Sequence, residues 1–206
     1  MPETPPGLSL RERKKFETHR TLARAAVRLV AEHGLDKVTV EDIAAAADVS
    51  VRTFFNYFAS KDDAVVIAYP DRDERTVAVI EALLAAPPEV GTAHALLNAL
   101  DDDFKRVEDN RDEWLARMSI FEQNLHLVSR MMVAQAESER QLVEAIARRC
   151  GLDPDKDFYP SLLFSLVGAG MSAAIRRWHA LGGKASLREL LDEAMDAVVN
   201  GLPEPH

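Results

Sequence analysis

The chain has 206 residues, 47% of them hydrophobic and 29% charged, with a formal net charge of −9. That balance suits a soluble globular domain, or a small domain joined to a larger one, and excludes a disordered chain. Its single cysteine, Cys150, excludes an internal disulfide framework and points to the cytoplasm.

The charge is unevenly placed. Residues 1–61 hold ten Lys/Arg against eight Asp/Glu, whereas 62–206 hold fifteen against twenty-six. An acidic body with a mildly basic head can present only the head to a polyanion. The start, "MPETPPGLSLRERKK", has no apolar run and does not read as a signal peptide. The longest apolar stretch, 161–175, is shorter than the roughly 20 residues of a membrane span, so no membrane partner is expected.

Residues 1–8, with three prolines, read as a frayed tail. "LRERKK" (10–15) is either a basic arm for DNA or a solvated helix start. Leu22, Ala26, Leu29 and Val30 then share one helical face, and Gly34 stops the helix. Thr39 is placed to cap a second helix, with Val40, Ile43, Ala44 and Ala47 as its apolar side. After Asp48, Ser50 can cap a third helix over 51–57, and Ser60 a fourth that starts at Lys61, breaks or kinks at Pro70 and resumes to about Ala85. Further helical patterns run over 93–109, 112–123, 125–150, 157–181 and 187–200, separated by Gly, Pro, Asn or Asp. The expectation is an all-α chain of about nine helices: a three-helix head over 9–61 with a helix-turn-helix, and a helical body over 62–202.

The stretch "DVSVRTFFNYFASKDDA" (48–64) carries the functional signal. On a helix from Val51, the residues Val51, Phe54, Phe55 and Phe58 are expected on the buried side. The other side offers Arg52, Thr53, Asn56 and Tyr57, all able to hydrogen-bond and none acidic. Two short helices joined by a tight turn, the second with such a face, describe a helix-turn-helix. Arg and Asn can each grip a base edge through two hydrogen bonds, and Thr, Tyr and Lys suit phosphates. The other reading is an amphipathic surface helix.

The segment "TVEDIAAAADVSVRTFFNYFASKDDAV" (39–65) resembles the DNA-binding signature of TetR-type transcriptional regulators. The order matches: a capping Thr, an Ile-Ala pair, the turn, Ser, Thr, an aromatic helix, then Phe, Ser and Lys. Three positions depart from it. Asp48 stands where family members usually have the turn glycine, Arg52 where a small glycine opens the recognition helix, and Phe55 where a phosphate-binding tyrosine is usual. The resemblance implies a homodimeric repressor whose DNA contacts come from Thr39, Ser50, Arg52, Thr53, Asn56, Tyr57 and Lys61. It also implies a small-molecule effector, expected to be mostly apolar, that releases a palindromic operator.

In the body, Trp114, Met118, Phe121 and Leu125 recur at spacings of four, three and four, with Phe104 and Val107 on the preceding helix. Taken alone, such a stripe is core. The resemblance makes it a wall of the effector site, with Arg117, Gln123 and His126 as polar groups beside it. Ser165, Gly168, Ala169 and Ser172 form a small-residue patch, and Trp178, Leu190, Leu191 and Ala194 add an apolar face. The resemblance gives these two helices to a four-helix dimer interface; packing within one subunit is the alternative.

No nucleophile motif, phosphate loop or metal spacing occurs, the six histidines included, so neither catalysis nor a cofactor is expected. Two readings stay open beside the repressor: an activator of the same fold, and a helical small-molecule carrier or enzyme without operator binding.

Overall fold

The computed structural model describes residues 7–201; most of the tail read over 1–8, and the body's last residue, 202, lie outside the described residues. Regular structure within them is helical throughout, eleven α-helices and one 3-10 turn. The excess over nine arises because two expected helices are each divided. The segment from Lys61 splits into α4 (Lys61–Val66) and α5 (Arg72–Ala85), with Pro70 in the break, where the ring and its restriction on Tyr69 oppose helical geometry. The 93–109 pattern splits at Leu100 into α6 (Thr92–Ala99) and α7 (Asp101–Asp109). Asp101, Asp102 and Asp103 form the first turn of α7, where carboxylates favour a new helix N-terminus over continuation of an old one.

The chain divides into two compact units, Met1–Arg72 with Asp112–Gln135, and Asp73–Arg111 with Ala136–His206. The first contains α1 (Leu10–His33), α2 (Val40–Ala46), α3 (Val51–Phe55) and α4, most of α8 (Arg111–Gln123) and the start of α9 (Leu125–Cys150). Ser9 and Glu12 close a capping box at the head of α1, so "LRERKK" is the start of that helix. Gly34 ends α1 at φ 87°, a conformation glycine adopts without the steric cost of a Cβ. Leu22, Ala26, Val30, Ile43, Phe54, Phe58 and Val65 pack into one core with Ile120 and Phe121 of α8 and Leu127 of α9.

The second unit is built on α10 (Tyr159–Ala180) and α11 (Leu187–Val199) with α5, α6, α7 and the rest of α9. A Cβ on Gly170 would lie 2.8 Å from Met195 Cε and 3.7 Å from Ala194 Cβ, so α10 and α11 approach closely there. The Arg149 guanidinium fastens the connector between α5 and α6 by donating to the carbonyls of Leu83, Ala86, Pro87 and Val90 at 2.7–2.9 Å. No described helix is long and apolar enough to cross a membrane.

Candidate nucleic-acid interface

Thr39 caps α2: its hydroxyl accepts from the Asp42 N–H at 3.1 Å, and the Asp42 carboxylate accepts from the Thr39 N–H at 2.9 Å. Asp thus closes the capping box as the longer Glu usually does. The turn then passes through Asp48 at φ 54°, the one non-glycine residue in the left-handed region among those described. Asp enters that region at lower cost than most residues, which keeps the turn where glycine is usual.

Ser50 caps α3, accepting from the Thr53 N–H at 3.0 Å and sharing a 2.8 Å hydrogen bond with the Thr53 hydroxyl. The helix ends at Phe55, two residues before the expected 57, with Asn56 as its C-cap. Phe54 is fully buried, and Phe58, already beyond the helix, reaches the same core from the following turn. Their rings lie 5.7 Å apart. Phe55 is corrected: it is 55% exposed, not buried. With the inward direction fixed by Val51 and Phe54, it joins Arg52 and Asn56 on the exposed side, at positions i, i+3 and i+4. That side of α3 therefore offers a guanidinium, an amide and an aromatic ring, and no acid.

The remaining candidates are partly engaged within the head. The Thr39 and Ser50 hydroxyls serve the caps. Tyr57 is half-buried and meets the His19 ring edge-on at 6.4 Å. Lys61 Nζ donates to the carbonyls of Leu35 and Val38 at 2.7 and 2.9 Å, which ties α4 to the 3-10 turn Leu35–Lys37 and leaves one ammonium proton for a phosphate.

The same unit holds a buried ionic cluster of Arg20, Glu113 and Arg117, of which only Arg117 is among the expected site residues. Arg20 of α1 donates to the Glu113 carboxylate through both terminal nitrogens, at 3.1 and 2.8 Å, and to the Ala68 carbonyl at 2.8 Å. Arg117 donates to the same carboxylate at 2.8 Å and to the Val65 carbonyl. The Arg20 guanidinium stacks 3.9 Å from the Tyr69 ring centre, and that of Arg117 lies 5.4 Å from Trp114. Burial pushes the Glu113 carboxyl up, but its bonds to Arg20 and the charges of both arginines outweigh this and hold it below the usual range. The signal was present in part: Arg20 falls on the apolar face of α1, and Glu113 and Arg117 are four apart on α8.

His19, buried beside this cluster with its ring 4.4 Å from that of Phe58, has no partner for Nδ1. Burial first, then the positive charge of Arg20, lower its pKa from 6.5 to about 4; Asp71 opposes this, and Arg117 and Lys15 add to it. A depressed histidine pKa means the unfolded chain takes up a proton that the folded one refuses. Stability should therefore fall as pH drops from 6.5 to about 4, by about 3 kcal/mol in all at roughly 1.4 kcal/mol per pH unit. Urea denaturation across that window should show the loss, and His19→Phe should flatten it. An unchanged slope in His19→Phe would assign the loss to other groups.

The ligand candidates fall in different units. Trp114, Arg117, Met118, Phe121, Leu125 and His126 lie in the first, Phe104 and Val107 in the second. Phe121 is core, and Arg117, 1% exposed, is bound in the ionic cluster. Leu125 departs from the expected stripe: Asn124 separates α8 from α9, and Leu125 opens the new helix 75% exposed. His126 is exposed near Asp62, at 3.5 Å. Of the dimer candidates, Ser165, Ala169 and Ser172 lie exposed along α10, flanked by the partly exposed Leu162 and Leu166, and Gly168 faces open space. Trp178 and Leu191 are instead buried inside the second unit, with Leu190 and Ala194 half-buried; their burial within the subunit takes the first two out of any surface.

Residues 22–65 match the family described as "Bacterial regulatory proteins, tetR family", and residues 90–203 match the MftR C-terminal domain. The chain is 32% identical over 182 residues to the HTH-type transcriptional regulator TcmR of Streptomyces glaucescens, covering 85% of this chain and 79% of that protein. The fatty acid degradation regulator FadR of Bacillus halodurans has a similar fold, with a TM-score of 0.63 at 20% identity, over 91% of this chain and 97% of the other. FadR of Thermus thermophilus, solved in complex with lauroyl-CoA, aligns with a TM-score of 0.55 at 18% identity, over 91% and 96%.

Proposed function

This chain belongs to the TetR family of bacterial transcriptional regulators, with a DNA-binding helix-turn-helix, and we propose that it is a ligand-responsive repressor acting on a palindromic operator as a homodimer. The exposed side of α3 carries this reading: Arg52 and Asn56 stand clear on a helix whose other side is locked by Phe54 and Phe58. In this proposal residues 9–61 are the DNA-binding domain and 62–202 the ligand-binding and dimerisation domain. Two copies pair through the exposed side of α10 and set their α3 helices one DNA turn apart, about 34–36 Å. The effector is a mostly apolar small molecule, with Trp114 and Met118 as candidate contacts. It binds the DNA-incompetent arrangement more tightly and so shifts the population off the operator. The lauroyl-CoA complex of the Thermus protein supports a ligand with an apolar acyl part. The protein acts in the cytoplasm.

Footprinting of the DNA upstream of its own gene with the purified protein tests this, with two protected half-sites expected. Arg52→Ala should cost about 1–3 kcal/mol and flatten preference at one operator position. Uniform weakening on every sequence, with a salt slope shallower by about one unit per subunit, would make Arg52 a phosphate contact instead. No protection at all would favour the carrier or enzyme reading.

A further inference from the structure

Phe55 is the one large apolar residue between 35 and 66 whose side chain stands exposed. Its ring meets that of Phe54 edge-on, with centroids 5.4 Å apart and planes at 88°. Covering such a ring with an apolar partner gains free energy. Arg52 and Asn56 flank it on the same face, so whatever they address, Phe55 meets too.

A benzyl ring carries no hydrogen-bonding group, so a phosphate gains nothing from it. Nearly every feature of a major-groove base edge is a donor or acceptor, and each would lose its water under the ring. The exception is the C5-methyl group of thymine. We infer that Phe55 reads a thymine methyl, one per half-site, beside the base pairs addressed by Arg52 and Asn56. This deepens the proposed DNA-binding role of α3 and rests on it.

The test changes one methyl group on the DNA and one side chain on the protein. A duplex selected by the wild-type protein from a randomised pool is resynthesised with uracil in place of thymine, one symmetric pair of positions at a time. Uracil keeps every hydrogen-bonding group of thymine and removes only the methyl. At one pair of positions the wild-type protein should lose about fourfold in affinity per half-site, the worth of one buried methyl. Phe55→Ala should bind the thymine duplex more weakly and no longer distinguish it from the uracil duplex. Because Phe55 lies outside the core, the variant should melt with the wild type.

Two results overturn the inference while leaving DNA binding intact: wild-type affinity indifferent to uracil at every position, or a uracil penalty of equal size in Phe55→Ala. Failure of the wild-type protein to select any duplex overturns the DNA-binding reading itself, and the inference with it.

Discussion

Glu113→Ala should destabilise the protein by about 3–5 kcal/mol, the usual cost of removing one member of a buried ion pair. The carboxylate accepts from Arg20 and Arg117, whose side chains are only 4% and 1% exposed, and from Arg24, which is half exposed. Its loss leaves two buried guanidiniums without the carboxylate they share. Glu113→Gln keeps an acceptor but no charge, and should fall between wild type and Ala. Joint replacement by Arg20→Met, Glu113→Leu and Arg117→Leu should recover much of the loss, since well-packed apolar groups often match or exceed a buried ionic cluster. Urea midpoints of the four proteins check this. A loss below about 1 kcal/mol for Glu113→Ala would mean that water enters and screens the cluster.

Phe54→Ala should cost a similar amount, about 3–5 kcal/mol for a fully buried phenylalanine, and should abolish operator binding first. Phe54 is 0% exposed and packs against Phe55 and Phe58. It is the only residue of α3 wholly within the core, because Val51 is half-buried and Arg52, Thr53 and Phe55 face outward or lie at the rim. Phe54→Leu retains most of the volume and should bind DNA with a loss of stability of only about 1 kcal/mol. Thermal melts and gel shifts on the same samples separate the two effects. Full operator affinity in Phe54→Ala would show that α3 is held by something other than this ring.

Helix boundaries were legible wherever punctuation was strong. α9 runs over Leu125–Cys150 as read, between Asn124 and Gly151. The break at Leu100 was not legible, because Leu carries no stop signal and the acidic triplet reads equally well as a solvated face. Phe55 was misplaced for a geometric reason. Spacing puts it on one side with Val51, Phe54 and Phe58. Val51 is only half-buried and Phe54 wholly buried, however, so the inward direction leans toward Phe54 and leaves Phe55 at the outer edge of that side. The ionic cluster was half legible: a charge on the apolar face of α1 demands a buried partner, yet that partner is 93 residues away. Short-range periodicity holds no information at that separation. Lys61 shows the same limit, since its carbonyl partners lie 26 and 23 residues back.

Five residues make little more than one helical turn, far from the ~12–15 at which a helix begins to persist alone in water. The order of α3 is therefore borrowed from the seating of Phe54 and Phe58. Amide protons of this segment should exchange with solvent at the pace of the head's collective opening rather than by local fraying. To a DNA duplex the reading surface is then an all-or-none object, and warming removes it over the same narrow temperature range that loosens the core beneath it.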